Sequence, residues 1–472
     1  MSVKKTLINS IWFGVIPKIS TLVNVILLPI ITPYLTSEDM GIWGVITGYV
    51  GIFASISSLG LYVHLTNSYY EYGKRFHYVW GRLLFLILLA SSFCSLVLFA
   101  ILAVSLDDLP LGIRLLVSGL ATFPVLFSGN TLLAQHLYPL LGEPKPLVLR
   151  NLFASLSGIT TTFVFIYVLK LGYLGYVFGA AVNALVGFLL FIPSIWIQNK
   201  IRPVFFKSKQ RIVSLLRISF PAIPHALGFI FLSSSSRIIM NLYEVPIGDI
   251  GLYTNGYIIG DYISIITTAI ITSLVPQIQV AYRSRNFDKY RSLYYFSQSV
   301  CLFAILFFVI WMPQLYDLLI KNEELKQSIV ISQYSCFANA VFPFYTFMST
   351  ICFIEKRTDQ LLWLVFFPGA LNVILCIIFI PIFGYKAALV TTIVSYWSQI
   401  LIPFFVKFHK KKTRIWLGDL RKSLLLLSLL IVMMCIATCL SEMCLINKIL
   451  VSLLLCVVVC GYLKYCGTKA IV

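Results

Sequence analysis

Apolar stretches of about twenty residues, each ended by a short polar or basic break, recur from one end of this chain to the other. A helix of that length crosses the hydrocarbon layer of a bilayer. The pattern predicts spans at 9–32, 41–65, 80–105, 113–138, 147–169, 174–197, 218–240, 251–275, 293–315, 328–353, 360–380, 386–407, 423–440 and 447–465. The expected fold class is therefore an all-α polytopic membrane protein with about 14 transmembrane helices.

Composition agrees, with 59% hydrophobic and 11% charged residues and a mean hydropathy of +0.93. The length of 472 residues has room for two or three soluble domains, but the apolar runs overrule that prior. The net charge of +19 raises the question of nucleic acid, and its distribution answers it. With the N-terminus in the cytoplasm, 28 of the 36 lysines and arginines fall on that face, in loops or at the ends of spans. Six fall outside, and Lys18 and Arg237 lie within spans. This is the positive-inside asymmetry of a membrane protein, and it predicts that both termini are cytoplasmic. The charge is expected to serve topology and contact with anionic membrane lipids, not nucleic acid. The eleven cysteines lie mainly within spans, without metal-ligand spacing, and read as small apolar residues. No short apolar core followed by a small-residue cleavage site opens the chain, so the first span is expected to be retained.

Three matches tie the first half of the chain to the second. Ile16-Pro17-Lys18 pairs with Ile223-Pro224-His225, 207 residues on. Asp39-Met40-Gly41-Ile42-Trp43 pairs with Asp249-Ile250-Gly251-Leu252-Tyr253 at offset 210. Leu171-Gly172-Tyr173-Leu174-Gly175 pairs with Phe383-Gly384-Tyr385-Lys386-Ala387 at offset 212. Three matches in order at a near-constant offset predict an internal repeat. Six spans per half is even, so the halves enter the membrane from one side as parallel repeats. The expected organisation is an N-terminal six-helix bundle over 1–200, a C-terminal six-helix bundle over 201–410, and two additional helices over 411–472. The basic stretch 198–217, with Ile201, Phe205, Phe206, Ile212, Leu215 and Leu216 among its cations, suits an interfacial amphipathic segment joining the bundles.

Charged groups inside spans are costly, roughly 2.5–3.5 kcal/mol near a helix centre, and so mark cavities or ion pairs. Lys18, with Thr21 and Asn24 on roughly the same side, is a candidate cavity residue. His225, Ser233 and Ser236 share a narrow sector of one helical wheel, with Arg237 at its edge. A second use for Arg237 is snorkelling to the external interface. Thr254, Tyr257, Asp261, Ser264 and Thr268 form a polar stripe on the eighth span, and Asp261 is the one acid placed deep in a span. The matching helix of the first half carries Gly44, Gly48, Gly51, Ser55 and Ser58 instead, a spacing that favours close packing. Spans four and five add Ser128, Thr131, Gln135 and His136, and Asn151, Ser155 and Thr162. These suit sugar hydroxyls, although the commoner use of such residues is a hydrogen bond to a neighbouring helix.

No Walker A, Gly-x-Ser-x-Gly or His-Glu-x-x-His pattern occurs, and no cofactor or metal is implied. The cytoplasmic loops are too short for a nucleotide-binding domain, which argues against direct use of ATP. External loops are short as well, the longest being 316–327, so an extracytoplasmic catalytic domain is not expected.

Residues 28–43, Leu-Pro-Ile-Ile-Thr-Pro-Tyr-Leu-Thr-Ser-Glu-Asp-Met-Gly-Ile-Trp, are similar to the Pro-x-hydrophobic-Thr-x-Tyr-Leu-(Ser/Thr)-x-x-(Asp/Glu)-x-Gly stretch of Wzx-type O-antigen and polysaccharide flippases. These belong to the superfamily that also holds MATE exporters and MurJ-type lipid II flippases. Ser236-Arg237-Ile238-Ile239 followed by Gly251-Leu252-Tyr253 resembles a second family stretch, in which an acid often precedes the arginine and Ser236 replaces it here. The resemblance implies two pseudo-symmetric six-helix bundles in a bacterial cytoplasmic (inner) membrane. It also implies alternating-access export of an undecaprenyl-diphosphate-linked oligosaccharide, an O-antigen or related surface-glycan unit, to the periplasmic side. Other polysaccharide-assembly membrane proteins are implied partners. On this reading Lys18 and Arg237 contact the diphosphate, and His225, Asn24 and Tyr257 line a cationic cavity between the bundles. Membrane potential favours the step by roughly 2.3 kcal/mol per negative charge per 100 mV, and Asp261 is the candidate for coupling to H+ or Na+ antiport. Two alternatives are a MATE-like multidrug or cation antiporter, which would need a net acidic cavity, and a membrane polysaccharide polymerase, which would need a large external loop.

Overall fold

The computed structural model describes residues 18–205, 209–219, 222–417, 421–441 and 443–470, and is helical with no strand among them. Ten helices are long and apolar enough to cross a membrane; Phe76–Ser105, Tyr173–Gln198, Phe287–Ile310 and Leu361–Phe383 are examples. An eleventh crossing is a pair, Ile223–Ser233 and Ser235–Leu242, bent by 66°. Lys18–Tyr34 and Leu445–Val457 are shorter apolar helices, and Tyr385–Ser398 is a further helix of 14 residues. Described helices overlap each expected span, and those at 113–138, 218–240, 251–275, 328–353 and 386–407 are built from more than one helix. The helices themselves account for ten or eleven crossings among the described residues, and fourteen stays an expectation. Ile16 and Pro17 of the first repeat match lie outside the described residues.

Outward faces identify lipid as the surrounding medium. On Phe76–Ser105, Leu89, Phe93 and Leu96 are 60%, 67% and 71% exposed at a spacing that puts them on one side of the helix. In water a contiguous stripe of that kind would drive association, whereas in a bilayer it is the matched surface.

The chain folds into two compact units. One is Met1–Ile230 with Glu244–Gly251, and the other is Phe231–Tyr243 with Leu252–Val472. In the first unit Trp80 is fully buried among Leu83, Leu84, Leu133, Leu137, Phe191 and Ile195. Its indole donates to the Leu65 carbonyl and the Ser68 hydroxyl, each at 3.1 Å, so the large ring carries no orphaned donor.

The repeat matches acquire structural meaning at the helix starts. Thr36 and Asp39 form a capping box at the head of Ser37–Ser57: the Thr36 hydroxyl accepts from Asp39 N at 3.1 Å, and the Asp39 carboxylate accepts from Thr36 N at 2.8 Å. The other carboxylate oxygen accepts from Tyr173 N at 2.9 Å, at the head of Tyr173–Ile192. One side chain therefore caps two helices. Gly172, just before that second helix, has φ +55° and ψ −130°; its repeat partner Gly384, just before Tyr385–Ser398, has φ +63° and ψ −151°. Both conformations are strained for any residue with a Cβ. Asp39 and Asp249 are each the third residue of a helix, Ser37–Ser57 and Ile247–Asp261. The crossing of these two helix starts is itself symmetric. A Cβ on Gly41 would lie 2.0 Å from the Ile247 carbonyl oxygen, and one on Gly251 would lie 1.7 Å from that of Ser37. Ile247 stands 210 positions after Ser37, as Gly251 does after Gly41.

Candidate functional site

A cavity of about 530 Å³ opens within the first unit, walled by the helices that contain Trp43, Thr131, Asn151 and Asn183. Its walls are fixed by bonds behind the lining. Asn130 donates to the Phe188 carbonyl at 3.2 Å and accepts from the Trp196 indole at 3.0 Å, tying Ser128–Leu141 to the segment after Tyr173. Ser128 donates to the Val125 carbonyl at 2.8 Å, and Thr47 to that of Trp43 at 3.0 Å, so these two lining hydroxyls are occupied. Thr131, Gln135, Asn151, Ser155 and Asn183 are different. All five line the cavity, and none makes a side-chain hydrogen bond to another described residue. None of the described lining residues carries a charge. Trp43 adds a flat aromatic wall, stacked on Tyr176 at 5.4 Å between centroids and 16° between planes. Unpaired amides and hydroxyls beside an indole face suit a neutral, hydroxyl-rich ligand, because such groups are left to water or ligand.

The second unit holds a buried polar cluster around Arg237, which is 6% exposed. Its guanidinium carbon lies 5.3 Å from the centroid of the Tyr257 ring, and its Nε has no hydrogen-bond partner among the described residues. No ion pair to Arg237 occurs among the described residues. Hydroxyls and an amide surround the helix that carries it. Asn372 donates to the Phe231 carbonyl at 2.9 Å and to the Ser235 hydroxyl at 3.1 Å. Ser236 meets Thr392 at 3.2 Å, Thr392 meets the Tyr253 hydroxyl at 3.2 Å, and Tyr257 meets Tyr396 at 3.5 Å. An uncompensated buried cation of this kind is costly, and an anion is what would compensate it.

Of the residues singled out in the sequence, Arg237 and Tyr257 come together in this cluster. Asp261, on the same helix as Tyr257, is exposed; it accepts from Asn339 at 3.3 Å and from Ser264 at 3.4 Å. Lys18, Asn24 and His225 belong to the first unit. Lys18 is half-buried and forms no ion pair among the described residues; Asn24 is exposed. His225 packs edge-on against Phe229 at 5.5 Å, and its Nε2 has no hydrogen-bond partner among the described residues. The single helical wheel expected for His225 and Arg237 does not hold. The helix breaks at Ser234, the pieces diverge by 66°, and the two residues fall in different units. Nor does Arg237 snorkel: it is buried beneath an aromatic ring.

The fourth- and fifth-span positions divide. Ser128, Thr131, Gln135, Asn151 and Ser155 gather in the cavity, whereas His136 stacks on Tyr62 at 5.9 Å and Thr162 stands against Gly179. Sequence reasoning missed Asn183 and Trp43. Asn183 sits alone in an otherwise apolar span. The usable signal was the i, i+4 pairing of Thr131 with Gln135 and of Asn151 with Ser155, which puts each pair on one helix face.

Comparisons with known proteins bear on both the family and the fold. A family model described as "Polysaccharide biosynthesis protein" matches residues 6–281. No curated protein matches the chain. Among solved structures, the lipid II flippase MurJ in an inward closed conformation superposes with a TM-score of 0.66 at 13% identity, covering 97% of this chain and 99% of that one. A multidrug resistance MATE family transporter of the MOP superfamily, inward-facing, gives 0.60 at 14% identity, covering 86% and 96%. A MOP superfamily transporter from Pyrococcus furiosus gives 0.53 at 16% identity, covering 87% and 96%. At these identities the likeness is one of fold.

Proposed function

Because the chain belongs to the polysaccharide biosynthesis protein family and shares the fold of MOP superfamily transporters, we propose that it is a flippase for a lipid-linked saccharide. The substrate is an undecaprenyl-diphosphate-linked oligosaccharide, an O-antigen or related surface-glycan unit. It moves by alternating access from the cytoplasmic to the periplasmic side of a bacterial inner membrane, with both termini of the protein cytoplasmic. The observation that carries this reading is the uncharged cavity of the first unit, where five polar side chains beside Trp43 have no hydrogen-bond partner among the described residues. That chemistry suits sugar hydroxyls and amides. Arg237 and Lys18 are the candidate contacts for the diphosphate, Arg237 as a fork and Lys18 as a point charge. His225, Asn24 and Tyr257 are candidate secondary contacts, and Asp261 is the candidate for H+ or Na+ coupling beside the membrane potential.

Among the described residues, a cationic drug would find no carboxylate lining the cavity and, in the second unit, a guanidinium without an ion pair, which disfavours the exporter reading. The test is a cell carrying Gln135→Leu, Asn151→Leu and Asn183→Leu together. With normal protein levels, lipid-linked single units should accumulate on the cytoplasmic side and surface glycan should fall, with drug tolerance unchanged. Undiminished glycan export, or altered drug tolerance alone, would refute the proposal.

A further inference from the structure

The helix Lys407–Leu417 separates its residues by side. Lys407, Lys410, Lys411 and Arg414 are exposed, at the i, i+3, i+4, i+7 spacing of a single helix face. His409 and Thr413 are buried on the other. The buried side is clamped to the second unit. Lys412 pairs with Glu355 and donates to the Tyr282 hydroxyl at 3.2 Å; His409 Nε2 lies 3.1 Å from the Gln360 carbonyl. Phe408 lies beneath both Arg357 and Lys412, at 5.4 and 5.5 Å from its centroid. The four exposed cations are thus held as a fixed row, and none forms an ion pair among the described residues.

Position along the chain fixes the medium this row meets. Just before the helix, Phe404 and Phe405 are 36% and 82% exposed; just after it, Leu424 and Leu425 are 48% and 68% exposed at the head of a membrane-crossing helix. Lipid-facing apolar residues bracket the cations at both ends, so the helix lies along the border between acyl chains and headgroups. Like charges one turn apart repel, and a layer of anionic headgroups is the counter-charge available at that depth.

We propose that Lys407, Lys410, Lys411 and Arg414 form a binding surface for anionic phospholipid headgroups. It anchors the second unit to the charged leaflet and is separate from the transport site.

The full chain, purified in neutral detergent, is titrated with phosphatidylglycerol or phosphatidylcholine. Lipid retained is counted by native mass spectrometry, and the thermal midpoint is recorded. Phosphatidylglycerol should be retained and should raise the midpoint, less so when salt is raised well above about 0.1 M; phosphatidylcholine should do neither. Changing all four residues to Gln should weaken phosphatidylglycerol retention by about tenfold or more, while the lipid-free midpoint stays that of the wild type. A second variant that exchanges Lys for Arg and Arg for Lys at the same positions should retain the lipid. Equal retention by the Gln variant overturns the proposal, as does equal stabilisation by the two lipids. Displacement by millimolar inorganic pyrophosphate with no preference for the lipid would also overturn it, assigning the row to a soluble or substrate diphosphate.

Discussion

Asp39→Ala is the perturbation whose cost the geometry defines best. The carboxylate accepts three hydrogen bonds: from Thr36 N at 2.8 Å, from the Thr36 hydroxyl at 2.9 Å and from Tyr173 N at 2.9 Å. The first closes the capping box of Ser37–Ser57, the second holds the Thr36 side chain against the same oxygen, and the third reaches across 134 residues to the first turn of Tyr173–Ile192. A cap is worth about 0.5–2 kcal/mol, and a hydrogen bond to a charged group about 1.5–3 kcal/mol. Asp39 is only half-buried, so water recovers part of both. The expected loss is about 2–4 kcal/mol, or a fall of about 5–10 °C in the thermal midpoint of detergent-solubilised protein scanned at a fixed rate.

Asp39→Asn keeps one carbonyl oxygen and loses the charge, so it should fall between the wild type and Ala. Thr36→Val removes the hydroxyl alone and leaves the Tyr173 bond, so it should cost about 1 kcal/mol. If the carboxylate acts as a staple between two helix starts, Gly172→Ala should be no milder than Asp39→Ala. The new Cβ would meet Asp39 Oδ1 at 2.2 Å and would force an alanine to φ +55°. In the double variant the two losses should overlap, not add. An Asp39→Ala midpoint within about 2 °C of the wild type, or full additivity with Gly172→Ala, would sink the staple.

Gly41→Ala and Gly251→Ala should each lower the thermal midpoint, and the pair should be less than additive, since each Cβ would collide with the other helix's backbone oxygen at about the same crossing. Asn372→Ala should destabilise by about 1–3 kcal/mol, measured by thermal scan, because the Phe231 carbonyl and the Ser235 hydroxyl lose their shared donor in a buried site. Arg237→Lys and Arg237→Ala should both impair glycan export at normal protein levels if the guanidinium fork is the functional group, whereas rescue by Lys would leave only a charge requirement. Burial holds the His409 imidazole down at about 4, against the opposing pull of the Gln360 carbonyl and Asp359. The neutral ring is the folded form, so its contribution is complete above about pH 6.5 and is lost as pH falls from there towards 4. The thermal midpoint should therefore drop across that window in the wild type, and less in His409→Gln.

The limits of the sequence follow from what each feature depends on. Spans were legible because lipid imposes a length and a polarity that any apolar run records locally. The repeat was legible where backbone conformation restricts residue choice, as at Gly172 and Gly384, which share a positive φ. The break at Ser234 was hidden, because nothing in Ser233-Ser234-Ser235-Ser236 distinguishes a bent pair from a polar patch on a straight helix. That one break undoes the grouping of His225 with Arg237, since a helical wheel is valid only while the axis is continuous. The cavity was half legible. Thr131 with Gln135, and Asn151 with Ser155, each share a helix face, but whether a face meets a neighbouring helix or an opening depends on packing between segments. Hydrogen-bond accounting supplies the difference. Asn130 and Gln135 are both amides on Ser128–Leu141, yet Asn130 spends its oxygen and nitrogen on Trp196 and Phe188, while Gln135 spends neither on the described protein. Among polar residues within membrane spans, an unspent hydrogen bond is a better guide to a ligand site than residue type, because a spent one already explains why the residue is there.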